Sequence, residues 1–178
     1  MTSRVFAIDI GGTKIAAAKV SEKFEVLEKV EIPVPKIGDV WSYVSKQLSD
    51  FATKIQINEC KSIGISTAGP INLENGEISP VNIPSWRNFP LLQNVKNLIQ
   101  IEKVSMIGDA AAIALSEHKL GAGRGMSNFL GATVSTGVGG GVIINNQIYL
   151  GATGNSGPTS LAGYGSSYPG YGTTAALT

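Results

Sequence analysis

Residues 5–20 read as two apolar runs joined by a pair of glycines, and this pattern narrows the fold more than any other in the chain. Val5–Ile10 is apolar and contains β-branched residues, Gly11-Gly12 follow, and Lys14–Val20 forms the second run. Two such runs with a tight Gly-Gly turn between them predict a β-hairpin. Phe24–Ile32 reads as a third strand with Val26, Val30 and Ile32 on one face, ended by Pro33 and Pro35. The pattern then alternates. Val40, Val44, Leu48, Phe51 and Ile55 recur at helical spacing, Ser62–Thr67 reads as a buried strand, and Leu91, Leu92, Val95, Leu98 and Ile99 mark a second helix. Val104–Ile107 reads as a strand and Asp109–Leu120 as an alanine-rich helix stopped by Gly121. Phe129–Ser135 and Gly141–Ile144 form a last strand pair, with a turn at Asn145-Asn146. The expected order is β-β-β-α-β-α-β-α-β-β: an α/β chain with a mixed sheet, a hairpin start and flanking helices.

Composition closes off several function classes. The 178 residues give room for one domain with a sizeable core, and at 43% apolar and 15% charged the chain is expected to fold. Fourteen Lys/Arg against 13 Asp/Glu leave a net charge of +1, which supports neither a nucleic acid nor an anionic membrane as partner. One Cys and one His exclude a disulfide framework, and also a Cys/His zinc site built by this chain alone. No apolar stretch long enough for a signal peptide precedes Asp9, so a soluble, reducing, cytoplasmic setting is expected. Every charged residue lies at or before Arg124. Residues 125–178 are interrupted throughout by Gly, Ser, Thr and Asn, which excludes a membrane span. Residues 151–178 are glycine-rich without an apolar period and are expected to be irregular or disordered.

Three sets of residues have chemistry to offer. Asp9-Ile10-Gly11-Gly12-Thr13-Lys14 sits at the first turn, where two glycines let backbone N–H groups approach an anion and Thr13 adds a hydroxyl. Asp9 at the strand end could hold a hydrated Mg²⁺ against the same phosphates. A plain Gly-Gly turn with a solvated Asp and Lys explains the hexapeptide equally well. It is neither a Walker A loop nor a dinucleotide fingerprint, since a strand follows it. Ser135-Thr136-Gly137-Val138-Gly139-Gly140-Gly141 is a second candidate anion loop, with a flexible turn as its plain reading. Asp109 opens a helix after a strand, where it can serve as N-cap, as general base toward a hydroxyl, or as both. His118, in the last turn of that helix, reads as a solvated residue favoured by the helix dipole. Cys60 reads as a structural or surface thiol, and Trp86 as the anchor of a surface loop that with Arg87 could also shape a sugar cleft.

With these residues in place, the sequence resembles the ROK family of sugar kinases and related repressors. The matching segments are AIDIGGTK at 7–14, GISTAGPIN at 64–72, VNIPSWRNFPL at 81–91, GDAAAIALSEHKLGAGRG at 108–125 and VSTGVGGGVIINNQIYLGATGN at 134–155. The ISTAG segment resembles N-acetylmannosamine kinases, and NIPSW is more similar to glucokinases. The resemblance implies an actin-like ATPase (ribonuclease H-like) lobe at 1–124, the start of a second lobe at 125–157, and an unrelated tail at 158–178. It implies that Asp9, Gly11, Gly12, Thr13 and Lys14, with Thr136, Gly137, Gly139, Gly140 and Gly141, bind the phosphates of ATP. It further implies Asp109 as the base, and Gly69, Asn82, Gly108, Asp109 and Asn155 as residues facing the sugar. ATP and Mg²⁺ are the implied cofactors, and no zinc is expected in this chain. A small sugar and ATP are the implied partners, without nucleic acid or membrane and with a homodimer left open.

Two departures from the family pattern qualify this. Members commonly have Asn-Asp where this chain has Gly108-Asp109, and Glu-x-Gly-His where it has Pro158-Thr159-Ser160. The expectation is therefore an ATP-dependent kinase of a hexose or N-acetylhexosamine whose second lobe is incomplete here, so that the chain alone turns over little sugar. The alternative is a non-catalytic, ROK-type regulatory domain that binds sugar or phosphate.

Overall fold

The structure, a computed structural model, describes residues 3–134, 138–151 and 154–155. The opening hairpin is present as β1 (Arg4–Ile10) and β2 (Lys14–Val20), paired from Val5↔Val20 to Ile10↔Ile15. β3 (Val26–Pro33) adds antiparallel to β2, while β4 (Cys60–Thr67) lies parallel to β1 and β7 (Val104–Gly108) parallel to β4. The result is a five-stranded mixed sheet in the order β3-β2-β1-β4-β7. Alternation along the strands divides its two faces. Phe6, Ile8 and Ile10 of β1, Ile15 and Ala17 of β2, and Ile63 and Ile65 of β4 are buried in one core.

Helices α1 (Val40–Lys54) and α2 (Leu91–Ile99) bring the matching apolar stripes to that core. Val44, Leu48 and Phe51 of α1 are buried there, and so are Leu91, Val95 and Ile99 of α2. Asp39 caps α1, accepting from Trp41 N at 3.0 Å and Ser42 N at 3.2 Å. Trp86 is 2% exposed, stacked on Phe89 at 4.6 Å with Trp41 edge-on at 6.2 Å, so it anchors its loop from inside.

The chain then leaves this core. α3 (Asp109–Leu120) runs from the end of β7 and carries a second, smaller sheet, β10-β9-β8, made of β8 (Phe129–Val134), β9 (Val138–Ile144) and β10 (Gln147–Tyr149). Among the described residues no helix is long and apolar enough to cross a membrane.

Several expectations need correction. The third strand begins at Val26, because Phe24 sits in a turn at φ 63° closed by hydrogen bonds between Ser21 and residues 24–25. Val26 is 61% exposed, Val30 is partly buried against the core and only Ile32 of the expected apolar face is fully buried, β3 being the edge strand of the sheet. The last strand pair gains a third member, β10, and β9 starts at Val138 rather than Gly141. A small hairpin of two-residue strands, β5 (Ile71–Asn72) with β6 (Glu77–Ile78), lies in the 68–80 loop. His118 is 5% exposed, because the 121–128 turn folds back over the last turn of α3. Its Nε2 lies 2.8 Å from the Met126 carbonyl and therefore donates. Cys60 is a buried free thiol at the start of β4. The expected tail at 158–178 lies outside the described residues.

Candidate functional site

The parallel strands end in step. Asp9 is in register with Ser66 and Ser66 with Ile107; one residue on, Ile10 faces Thr67 and Thr67 faces Gly108. The carboxyl ends of β1, β4 and β7 thus form one edge, the place where open α/β sheets bind ligands. A cleft of about 470 Å³ opens there, lined by Asp9, Ile10, Gly11, Ser66, Asp109, Ala112, Ile113 and Ser116. Asp9 and Ser66 reach it from the sheet face opposite the core, and the helical residues cover it from α3. Two carboxylates from chain positions a hundred residues apart in the sequence therefore line one concavity.

The first turn is tight: Gly11 N donates to Lys14 O at 3.0 Å, and Val34 N to Thr13 O at 3.0 Å. Gly12 is needed for closeness, since a Cβ there would stand 2.5 Å from the Asn82 side chain. Gly12 and Asn82, expected on phosphate and sugar respectively, are thus neighbours. Thr13 is exposed. The Lys14 ammonium points to β3 and pairs with Glu31 at 3.1 Å, while Lys29 holds the same carboxylate at 2.6 Å. Those two lysines, Lys29 foremost, keep the Glu31 carboxyl below its ordinary range.

Asp109 is not the helix cap. Gly108 occupies that position with extended backbone, and Asp109 is the first helical residue, its carboxylate accepting from Ala110 N at 2.7 Å. It stays exposed toward the cleft. A Cβ at Gly108 would meet nothing within 4 Å, so the backbone does not require glycine there.

The glycines of the second expected loop have a visible structural task. A Cβ on Gly139 would stand 2.9 Å from Ala110 Cβ, and one on Gly141 would stand 2.9 Å from both Ala111 Cα and Ala114 Cβ. Gly131 on β8 meets Ala114 at 2.8 Å in the same way. These glycines let the small sheet lie directly on the alanine face of α3. Gly140 is paired with Ala132 across β8. Thr136 and Gly137 lie outside the described residues.

Gly69 and Asn155 come together at the start of the 68–80 loop. A Cβ on Gly69 would stand 3.7 Å from Asn155 Oδ1. The Asn155 side chain grips Ile71 at both backbone groups, accepting from its N–H at 2.9 Å and donating to its carbonyl at 2.7 Å. Nothing in the sequence signals this clamp, because it joins positions 84 apart. Equally silent was Lys19, 5% exposed, whose ammonium donates to the Ile55 carbonyl at 2.7 Å and meets Glu59 at 2.5 Å, with Arg4 on the same carboxylate.

Among the described residues no group of three or more His, Cys, Asp or Glu could hold a metal ion directly. Two carboxylates beside a glycine turn are a different donor set. They suit a hydrated Mg²⁺, which keeps several waters and takes one or two carboxylates plus substrate phosphates.

A hairpin-led mixed sheet with carboxylates at its carboxyl edge, and a second sheet begun beyond α3, is the architecture of an actin-like ATPase lobe. Residues 5–159 match the ROK family, and the chain belongs to that family. It is 32% identical over 145 residues to the glucokinase of Streptomyces coelicolor, covering 81% of this chain and 44% of that protein. It is likewise 32% identical over 157 residues to the N-acetylmannosamine kinase of Haemophilus influenzae, covering 86% and 50%. Among solved structures it superposes on the ROK hexokinase from Thermus thermophilus with a TM-score of 0.75 at 36% identity, covering 86% of this chain and 51% of that one. A ROK family glucokinase from Streptomyces griseus, solved in complex with glucose and AMPPNP, gives 0.73 at 28% identity, covering 87% and 49%. The chain spans about half the length of the curated relatives it matches.

Proposed function

We propose that this chain supplies the acid–base residue, the first phosphate-binding turn and part of the sugar contact of an ATP-dependent kinase for a hexose or N-acetylhexosamine. The observation that carries the reading is the pairing of Asp9 and Asp109 on one cleft, beside Gly11, at the aligned ends of β1, β4 and β7. In the reaction, a sugar hydroxyl oxygen bonds to the γ-phosphorus of ATP, the bond from that phosphorus to the bridging oxygen breaks, and ADP leaves. Asp109 accepts the hydroxyl proton and, more importantly, aims the attacking oxygen. Its exposed carboxylate stands at the N-terminal end of α3, on the cleft, where it can reach a sugar hydroxyl. Gly11 and Gly12 bring backbone N–H groups to the phosphates, and Lys14 reaches them by exchanging its surface pair with Glu31. Asp9 is the residue to hold a hydrated Mg²⁺, whose charge offsets that of the phosphates. Asn82, stacked against Gly12, and the Gly69–Ile71 segment, clamped by Asn155, are the residues for the sugar.

The test is a titration of the isotope-labelled chain with Mg²⁺·AMPPNP and then with glucose or N-acetylmannosamine, followed by amide resonances. Shifts at Gly11, Gly12 and Asp109 with nucleotide, and at Gly69 and Asn82 with sugar, support the reading. Binding of either ligand elsewhere contradicts it. A regulatory domain that only binds would respond to sugar without any dependence on Asp109.

A further inference from the structure

Ser66 stands between the two carboxylates. It is the in-register partner of Asp9 on one side and of Ile107 on the other. Residues in register on neighbouring parallel strands lie about 4.8 Å apart and send their side chains to the same face. Across the sheet this row reads Glu31, Ala16, Asp9, Ser66, Ile107. The polar side chains lining the cleft are Asp9, Ser66, Asp109 and Ser116. The Ser116 hydroxyl is already committed to the Ile113 carbonyl at 2.8 Å. Among the described residues, none takes up the Ser66 hydroxyl.

Packing alone does not call for a hydroxyl here. Two residues earlier on the same face stands Gly64, with open space around it, and Ala7 and Ala18 continue the row of small residues beside it. Alanine at 66 would leave α3 the same clearance. The extra oxygen is therefore available for the cleft, and its neighbour on that face is Asp9.

Resting on the kinase reading above, we infer that Ser66 is a positioning residue for the phosphate-bound cation. The Ser66 hydroxyl has no partner among the described residues; with the cation bound it turns to donate to the neighbouring Asp9 carboxylate, and its lone pairs accept from a cation-bound water. That fixes the carboxylate's rotamer, and with it the place of the transferring phosphate relative to Asp109. An ionised acceptor makes such a bond worth more than a neutral one.

The experiment measures Mn²⁺ binding to the 178-residue chain by electron paramagnetic resonance, in the presence of AMPPNP, for wild type, Ser66→Ala, Ser66→Thr and Asp9→Asn. Ser66→Ala is expected to weaken Mn²⁺ binding about tenfold with unchanged circular dichroism, and Ser66→Thr, which keeps the hydroxyl, to stay within about twofold of wild type. Ser66→Ala binding like wild type while Asp9→Asn binds poorly overturns the role of Ser66 and leaves the site intact. Unchanged binding in Asp9→Asn, or no binding by wild type, overturns the kinase reading and the Ser66 inference together. A threonine variant as weak as alanine also overturns it, since the effect would then follow shape and not the hydroxyl.

Discussion

Replacing Gly141 by alanine adds one methyl group where the structure has no room for it. The new Cβ would stand 2.9 Å from Ala111 Cα and 2.9 Å from Ala114 Cβ. Carbon atoms settle at about 3.5–4.0 Å, so relief requires several tenths of an ångström of movement. Neither neighbour can supply it by rotating, because one atom is backbone and the other is the whole alanine side chain. Helix α3 and the small sheet must therefore separate as bodies. Overpacking of this kind costs about 1–3 kcal/mol. The control is Gly64→Ala, where the added Cβ meets nothing within 4 Å. There the loss of unfolded-chain freedom should leave the protein unchanged or more stable by about 0.4–1 kcal/mol. Urea unfolding followed by far-ultraviolet circular dichroism gives both values, and hydrogen exchange along Val138–Ile144 localises the first. If Gly141→Ala unfolds at the wild-type urea concentration with β9 equally protected, the small sheet does not rest on α3, and the glycines at 139 and 141 need another explanation.

Other perturbations have equally definite outcomes. Lys19→Met removes the ammonium of a buried residue, held by the Ile55 carbonyl and Glu59; a loss of about 1–3 kcal/mol in urea unfolding is expected. Burial pushes the Cys60 thiol above its ordinary value, against the pull of the Lys19 and Arg4 charges. The folded chain thus keeps that proton where the unfolded chain has lost it. The associated stability is full below the ordinary thiol range near 9.0 and is lost as pH rises beyond it toward the raised folded value, which melting curves across that range will register. Gly108→Asn places at the α3 cap the residue common in the family. Space is open there, so melting should change by only a few tenths of a kcal/mol, while sugar affinity measured by titration should rise.

Local rules captured the elements that one side chain period or one cap defines. The apolar spacing of α1, the Gly-Gly turn and the apolar runs of β1 and β4 each act over a few residues, and each element is present, with β4 starting two residues before the expected Ser62, at Cys60. What escaped depends on distant partners. The burial of His118 follows from the turn at 121–128 closing over it, and that of Lys19 from the end of α1 and Glu59 arriving beside β2. Neither side chain's own neighbourhood in sequence says so. Strands β5 and β6 are too short to carry a period at all. The candidate site divides in the same manner. Asp9 and Asp109 were legible as a strand end and a helix start, but Ser66 gained significance only when register placed it beside Asp9. The glycines of β9 were read for what they could offer an anion, whereas their close approach to α3 appears only once the helix is in place.

Whether Asp109 acts on a sugar hydroxyl at this cleft turns on one substitution. Asp109→Asn keeps an oxygen able to accept from Ala110 N, a bond of 2.7 Å in the native chain, and so spares the helix start. It removes the proton acceptor. The measurement is ADP release in the presence of glucose or N-acetylmannosamine, with residues 1–157 joined to the second half of a glucokinase relative. A rate lower by about 10²- to 10⁴-fold than with aspartate, at unchanged melting temperature, is the expected result. A near-native rate in the asparagine protein would contradict the assignment and place the base elsewhere.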